Sequence, residues 1–307
     1  MQSFNILFFF FLFLLIACTG PKVLTTEIPF QAECIEGLYF NEAIEVISLD
    51  SIVLSKSILE SLNQKSLDIA HTLGVIPEVE LLVESRNDSL RHHHIKTSLT
   101  YKVMRMQLEI QSLKSALDCE EEKSDQLAEF LQNKVKRTER NLTAAAIITG
   151  ATVSLGIGAI LLADIPGDAH EYIGIVGGLI EVVLGLKILN LDRKIAIEHP
   201  NNILRDIYYN EEKPYYFPQS VWYYFNKPRE ESELKSLREL LLERWDAYIL
   251  NDVEDSIYLS NGGAYSAEML ANRANMLDQL DAQLSLINQD LLHLLNQVDD
   301  IIYFSNK

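Results

Sequence analysis

Apolar positions in this chain fall into a few separated patterns, and most of them have the period of a helix. Leu99, Val103, Met106, Ile110, Leu113 and Leu117 are spaced 4-3-4-3-4, and the frame resumes at Leu127 and Leu131 after a polar break at Glu120–Ser124. That is a heptad seam, the signature of a coiled coil or helical bundle, expected to loosen at the break. The C-terminus repeats it without a fault through Leu277, Leu280, Leu284, Ile287, Leu291, Leu294, Val298 and Ile301. Leu234, Leu237, Leu241, Trp245 and Tyr248 predict a shorter amphipathic helix, and Asn261-Gly262-Gly263 a turn. Nearer the N-terminus, mixed helical spacing from about 41 to 71 predicts a helix ended by Gly74 and Pro77, with a short helix over 78–90.

Two segments break from this amphipathic style. Leu142–Ala163 is a run of 22 residues without a charge. As a helix it spans ~33 Å, the thickness of a bilayer core. Asp164-Ile165-Pro166-Gly167-Asp168 reads as a turn, and Tyr172–Leu191 as a second apolar helix of similar length. Eight of the 13 glycines lie between 150 and 185, whereas neither Gly nor Pro occurs from Glu78 to Thr149. The helix of the first seam is therefore expected to run straight into the apolar segment. The predicted fold is all-α: long antiparallel helices forming a coiled-coil stalk, with an apolar, glycine-rich helical hairpin of transmembrane type.

Small residues in the hairpin follow helical spacing. Gly150, Ser154 and Gly158 form one ridge, and Gly174 and Gly178 a second. Helices in lipid gain little from hydrophobicity when they pair, so close backbone approach through small residues drives their packing. Glu181 lies near the middle of the second run, where a charge is costly. It is expected opposite Thr152–Ser154, either hydrogen-bonded within the pair or lining a pore or oligomer contact.

The extreme N-terminus carries another apolar run, Phe4–Ile16, at 13 residues too short to span and suited to a signal-peptide core. Leu15-Ile16-Ala17-Cys18 follows it and resembles the bacterial lipobox. The resemblance covers only this tetrapeptide and the run before it. It implies cleavage before Cys18, acylation of its thiol and, with Thr19 next, an outer-membrane destination. An ordinary signal peptide or an uncleaved anchor is the alternative. If Cys18 carries lipid, Cys34 and Cys119 remain, as a disulfide or as two separate thiols.

These patterns divide the chain into a signal peptide (1–17), a lipid-proximal tether (18–41), a helical region (42–140), the hairpin (141–196), an aromatic-rich connector (197–229) and a C-terminal helical region (230–307). The connector packs nine aromatic residues between Tyr208 and Phe225. They suit a membrane interface, a glycan platform or a small aromatic core pinned by Pro214, Pro218 and Pro228.

Charge narrows the partners. Asp and Glu outnumber Lys and Arg 44 to 26, for a net charge of −18, which disfavours nucleic acid and broad adsorption to anionic lipid. The basic residues that flank the hairpin are Lys134, Lys136, Arg137 and Arg140 on one side and Arg193 and Lys194 on the other, and its turn is acidic. By the positive-inside rule both ends belong in the cytoplasm, whereas a lipid-bearing Cys18 puts them outside. Insertion after export, a hairpin shielded by other helices or an incidental lipobox would each resolve the conflict.

Arg91-His92-His93-His94 and Asp252-Val253-Glu254-Asp255 lack the spacing of zinc or calcium sites, and neither a phosphate loop nor a catalytic triad is visible. The sequence predicts a non-enzymatic, lipid-anchored envelope component without cofactor or metal. It would scaffold or tether an assembly through coiled-coil faces, as an oligomer, with membrane lipid as a further partner. The layout also loosely resembles the α-helical pore-forming cytolysins, which implies pore formation as the alternative.

Overall fold

The computed structural model describes residues 22–24, 34, 54–84, 89–229, 234–250 and 257–304. The segment expected as a signal peptide, Cys18, most of the expected tether, the first part of the helix expected over 41–71 and Asp252–Asp255 lie outside them. The described chain is all-α apart from one small sheet. In order it forms β1 (Lys22–Leu24), α1 (Lys56–Ser61), α2 (Gln64–Thr72), α3 (Ile76–Glu84), α4 (Ser89–Leu162), α5 (Ala169–Leu189) and β2 (Arg193–Glu198). There follow α6 (Ile203–Tyr209), α7 (Gln219–Asn226), α8 (Leu237–Tyr248), β3 (Gly262–Tyr265) and α9 (Ala267–Phe304).

It divides into two compact units, 1–28 with 125–197 and 263–271, and 29–124 with 198–262 and 272–307. Their boundary in α4 falls at the polar break of the seam. There the Ser124 hydroxyl is buried and donates to the Glu120 carbonyl at 2.8 Å.

The larger unit is built on the two heptad seams. Every seam residue from Leu99 to Leu117 and from Leu277 to Ile301 is buried. Lys96 pairs with Asp299 at 2.8 Å and Lys114 with Asp281 at 3.0 Å, so α4 and α9 run antiparallel. Burying one aliphatic side chain contributes about 1.5–3 kcal/mol, so this double seam dominates the unit's stability. Asp290, in the middle of α9, is buried and holds the short helices to it. It accepts from the Tyr224 hydroxyl at 3.0 Å and pairs with Arg229 at 3.0 Å and Lys65 at 3.5 Å.

Several elements differ from the sequence reading. The stretch expected as one helix up to His71 ends a helix at Ser61 and restarts at Gln64, because Asn63 caps α2 by accepting from Ser66 N at 2.9 Å. The helix expected from Leu234 begins at Leu237. Leu234 has φ +65° and is exposed, and Ser236 with Glu239 forms a capping box that starts α8. The aromatic connector is a core. Tyr216, Phe217, Trp222, Tyr224 and Phe225 are buried, with Phe217, Trp222 and Phe225 rings 4.8–6.1 Å apart. Only Tyr209 and Tyr215 among the large exposed side chains of that stretch face outward.

The sheet was not anticipated. β1 pairs parallel to β2, with Lys22 opposite Arg193 and Leu24 opposite Ile195, and β3 is the third strand in the order β1-β2-β3. β2 reads Arg-Lys-Ile-Ala-Ile-Glu, so Ile195 turns inward and Ala196 outward. Six residues of alternation following a long apolar helix give too short a signal to separate from a helix end.

Candidate membrane hairpin

Helix α4 continues without interruption through the apolar run, as its lack of Gly and Pro before residue 150 predicts. It ends at Leu162, and the chain reverses through Asp164 (φ +51°) and Gly167 (φ +117°) before α5 starts at Ala169. Both left-handed positions carry residue types that accept them.

The two helices meet along a seam of unequal side chains. Ile157 of α4 packs on Gly174 of α5, its Cδ1 3.6 Å from where a methyl at Gly174 would stand. One turn further, Val153 fills the space over Gly177. After another turn the pattern reverses, and Glu181 of α5 lies over Gly150 of α4. A large side chain thus faces a glycine at three successive levels, the arrangement that lets two helices approach closely. His170, Gly174, Gly177, Glu181, Leu184 and Ile188 share this face of α5 at 4-3-4-3-4 spacing.

This seam corrects the ridges read from sequence. Gly150 and Gly174 lie in it, whereas Gly158 and Gly178 have nothing within 4 Å of a methyl position and Ser154 is exposed. An i, i+4, i+8 ridge drifts around an α-helix, so three such residues cannot all stay on a straight antiparallel seam. Gly177, which the ridge pattern passed over, is the buried residue of α5. Glu181 meets Gly150 rather than Thr152–Ser154. The Thr152 hydroxyl donates to the Ile148 carbonyl of its own helix at 2.7 Å.

The outer faces are apolar and uncovered. The most apolar 18-residue windows of α4 and α5 have mean hydropathies of 2.1 and 2.0, and 0% and 6% of their residues are buried. Ile147, Leu155, Leu161, Tyr172, Val176 and Val182 are all more than half exposed. Both helices are long and apolar enough to cross a membrane. The shielded hairpin considered from sequence does not occur among the described residues. Contiguous apolar patches on a water-facing monomer are usually limited to a few hundred Å², so two uncovered apolar helix faces call for an apolar environment.

At its open end the hairpin meets the sheet, where Arg193 Nη2 donates to the Thr138 hydroxyl at 3.1 Å. This places the start of β2 beside the two turns of α4 that carry Lys134, Arg137 and Arg140, all three exposed. Because β1 pairs with β2, Lys22 joins the same end, four residues after Cys18. Neither pairing had a signal in the sequence, since both join segments far apart in the chain.

The remaining candidate residues lie in the larger unit. Cys34 and Cys119 form a disulfide with Cα atoms 5.5 Å apart, closing a loop of 85 residues. His92, His93 and His94 occupy the first turns of α4, and no group of His, Cys, Asp and Glu among the described residues is arranged to hold a metal. A buried polar network was missed from sequence. Asn202 caps α6, donates to the Tyr258 and Ser260 carbonyls at 2.7 Å and accepts from Arg273 at 3.3 Å. Burial, with the Arg273 and Lys123 charges nearby, lowers the His199 pKa to about 3. These groups tie the 199–202 and 258–261 loops to α9.

Family models, curated proteins and solved structures contain no match to this chain.

Proposed function

We propose that the chain is a non-enzymatic, lipid-anchored component of a bacterial envelope, attached through an acylated Cys18 and through the α4–α5 hairpin inserted in a membrane. Its α4–α9 bundle scaffolds or tethers an assembly, with protein partners engaged through helical faces and with the chain itself oligomeric. The outer membrane is the proposed location, on the strength of the lipobox and Thr19.

One observation carries the reading. The hairpin satisfies its own packing by seating Ile157, Val153 and Glu181 on glycines, yet leaves its apolar outer faces uncovered. Glycines in a water-exposed helix cost about 1 kcal/mol each, and an uncovered apolar face costs more, so both features fit lipid.

The scaffold reading is preferred to a pore for a specific reason. A pore needs a continuous polar stripe facing away from the helix pair. Here Glu181 is turned toward Gly150 and Thr152 is bonded to its own backbone. The exposed surface is mostly aliphatic, with Thr152, Ser154 and Glu181 as separated polar positions rather than a continuous stripe.

Dye release from liposomes tests the choice. The scaffold reading expects full-length protein to co-float with vesicles that retain their dye. Release that disappears on Gly150→Val would establish the pore instead.

A further inference from the structure

The open end of the hairpin gathers charge that the rest of the chain lacks. Across 22–24, 134–140 and 187–194 there are eight Lys and Arg and two acids, Glu139 and Asp192, in a protein of net charge −18. No Lys or Arg lies between Arg140 and Lys187, and the closed end carries Asp164, Asp168 and Glu171. The hairpin is therefore basic at one end and acidic at the other.

Sequence shows the flanks; the fold makes them one collar. The Arg193–Thr138 hydrogen bond sets β2 against the two basic turns of α4, and the β1–β2 pairing brings Lys22 opposite Arg193. Lys134, Arg137 and Arg140 are exposed over those two turns, eight, five and two residues before the apolar run begins at Leu142, which is ~12 to ~3 Å along the helix. In a bilayer this is the depth of the lipid phosphates. Long cationic side chains reach that depth while their stems stay apolar.

We infer that this collar binds the phosphate groups of anionic phospholipids, in the same leaflet that receives the acyl chain of Cys18. The inference rests on the proposed insertion of the hairpin. Charge complementarity identifies the occupant. A basic ring bordering an uncharged helix pair matches an anionic headgroup layer over hydrocarbon. Chain length identifies the leaflet. Thr19, Gly20 and Pro21 alone separate Cys18 from Lys22, and four residue steps reach at most ~14 Å. The acyl chain thus enters beside the hairpin's open end. Lipid anchor and hairpin then grip one membrane from one side, which removes the contradiction between a lipidated Cys18 and basic flanks: the collar reads the headgroups it touches and carries no information about the cytoplasm.

The test uses the full-length acylated protein in neutral detergent micelles, titrated with phosphatidylglycerol or phosphatidylcholine while thermal unfolding is followed. Each basic residue near an anionic surface contributes about five-fold in affinity. The collar predicts at least ten-fold preference for phosphatidylglycerol, weakened by salt. Combined Lys134→Gln, Arg137→Gln and Arg140→Gln should weaken phosphatidylglycerol binding about 100-fold and leave phosphatidylcholine unchanged. Glu139→Gln, which removes one of the two acids, should tighten it. Equal affinity for both lipids in the native protein, or an unchanged preference in the triple variant, overturns the collar while leaving the hairpin reading intact. Absence of stabilisation by either lipid overturns both.

Discussion

The Glu181 carboxyl group of α5 lies directly over Gly150 of α4, where an added methyl group would push it aside. The polar side chain of this apolar helix pair thus rests against the partner helix at its glycine while staying exposed at the edge of the seam. The same contact fixes the register of the hairpin together with Val153 on Gly177 and Ile157 on Gly174.

That register is testable by cross-linking. Val153→Cys with Gly177→Cys should form a disulfide in isolated membranes, whereas Leu155→Cys with Val176→Cys, on outward faces, should not. Gly150→Val, which displaces Glu181, should weaken the native cross-link, and Gly158→Val, at a position with open space around it, should preserve it. Equal effects of the two valines would rule out the seam.

The Cys34–Cys119 disulfide closes a loop of 85 residues over the larger unit. Restricting such a loop in the unfolded chain contributes about 4.5 kcal/mol on the chain-entropy model. Reduction, or Cys34→Ser with Cys119→Ser, should lower the urea midpoint accordingly. A midpoint unchanged by reductant would contradict the bond.

Asp290 is the acceptor on which Tyr224, Arg229 and Lys65 converge. Removing a buried acceptor leaves its cations uncompensated and costs about 3–5 kcal/mol. Asp290→Ala should destabilise by that amount in chemical denaturation, and Asp290→Asn by less because the Tyr224 hydroxyl keeps a partner. A loss below about 1 kcal/mol would show that the network is incidental.

His199 supplies a pH dependence. Its folded pKa is lowered to about 3 by burial and by Arg273 and Lys123. The unfolded chain binds the proton more readily, so the contribution of His199 is fully present above about pH 6.5 and is lost as pH falls toward 3. Urea midpoints should decline across that window, and His199→Leu should flatten the decline. A variant that declines as steeply as the native protein would assign the acid sensitivity elsewhere.

Much of the architecture was written in apolar spacing. The seams through Leu99–Leu117 and Leu277–Ile301 survive as a buried antiparallel pair because a 3.5-residue period over many turns has few alternative solutions. The hairpin was legible from length and the missing charges. The glycines were misjudged in detail, since spacing along one helix cannot tell which residue faces the partner until register is known. Gly177 owes its burial to Val153, a relation between two helices. The β1–β2 pairing was invisible for the same reason, as its strands lie about 170 residues apart in the chain. The aromatic cluster between Tyr208 and Phe225 was ambiguous because interface belts and small cores use the same residues.

The central claim is that the hairpin crosses a membrane, and sidedness tests it most directly. Ile165→Cys, exposed in the closed end, and Ala196→Cys, exposed on β2 at the open end, can each be labelled with a membrane-impermeant maleimide in sealed vesicles of both orientations. A spanning hairpin predicts that the two positions label from opposite faces, with Ile165→Cys protected wherever Ala196→Cys reacts. Labelling of both from the same face, with no gain on permeabilisation, would contradict it.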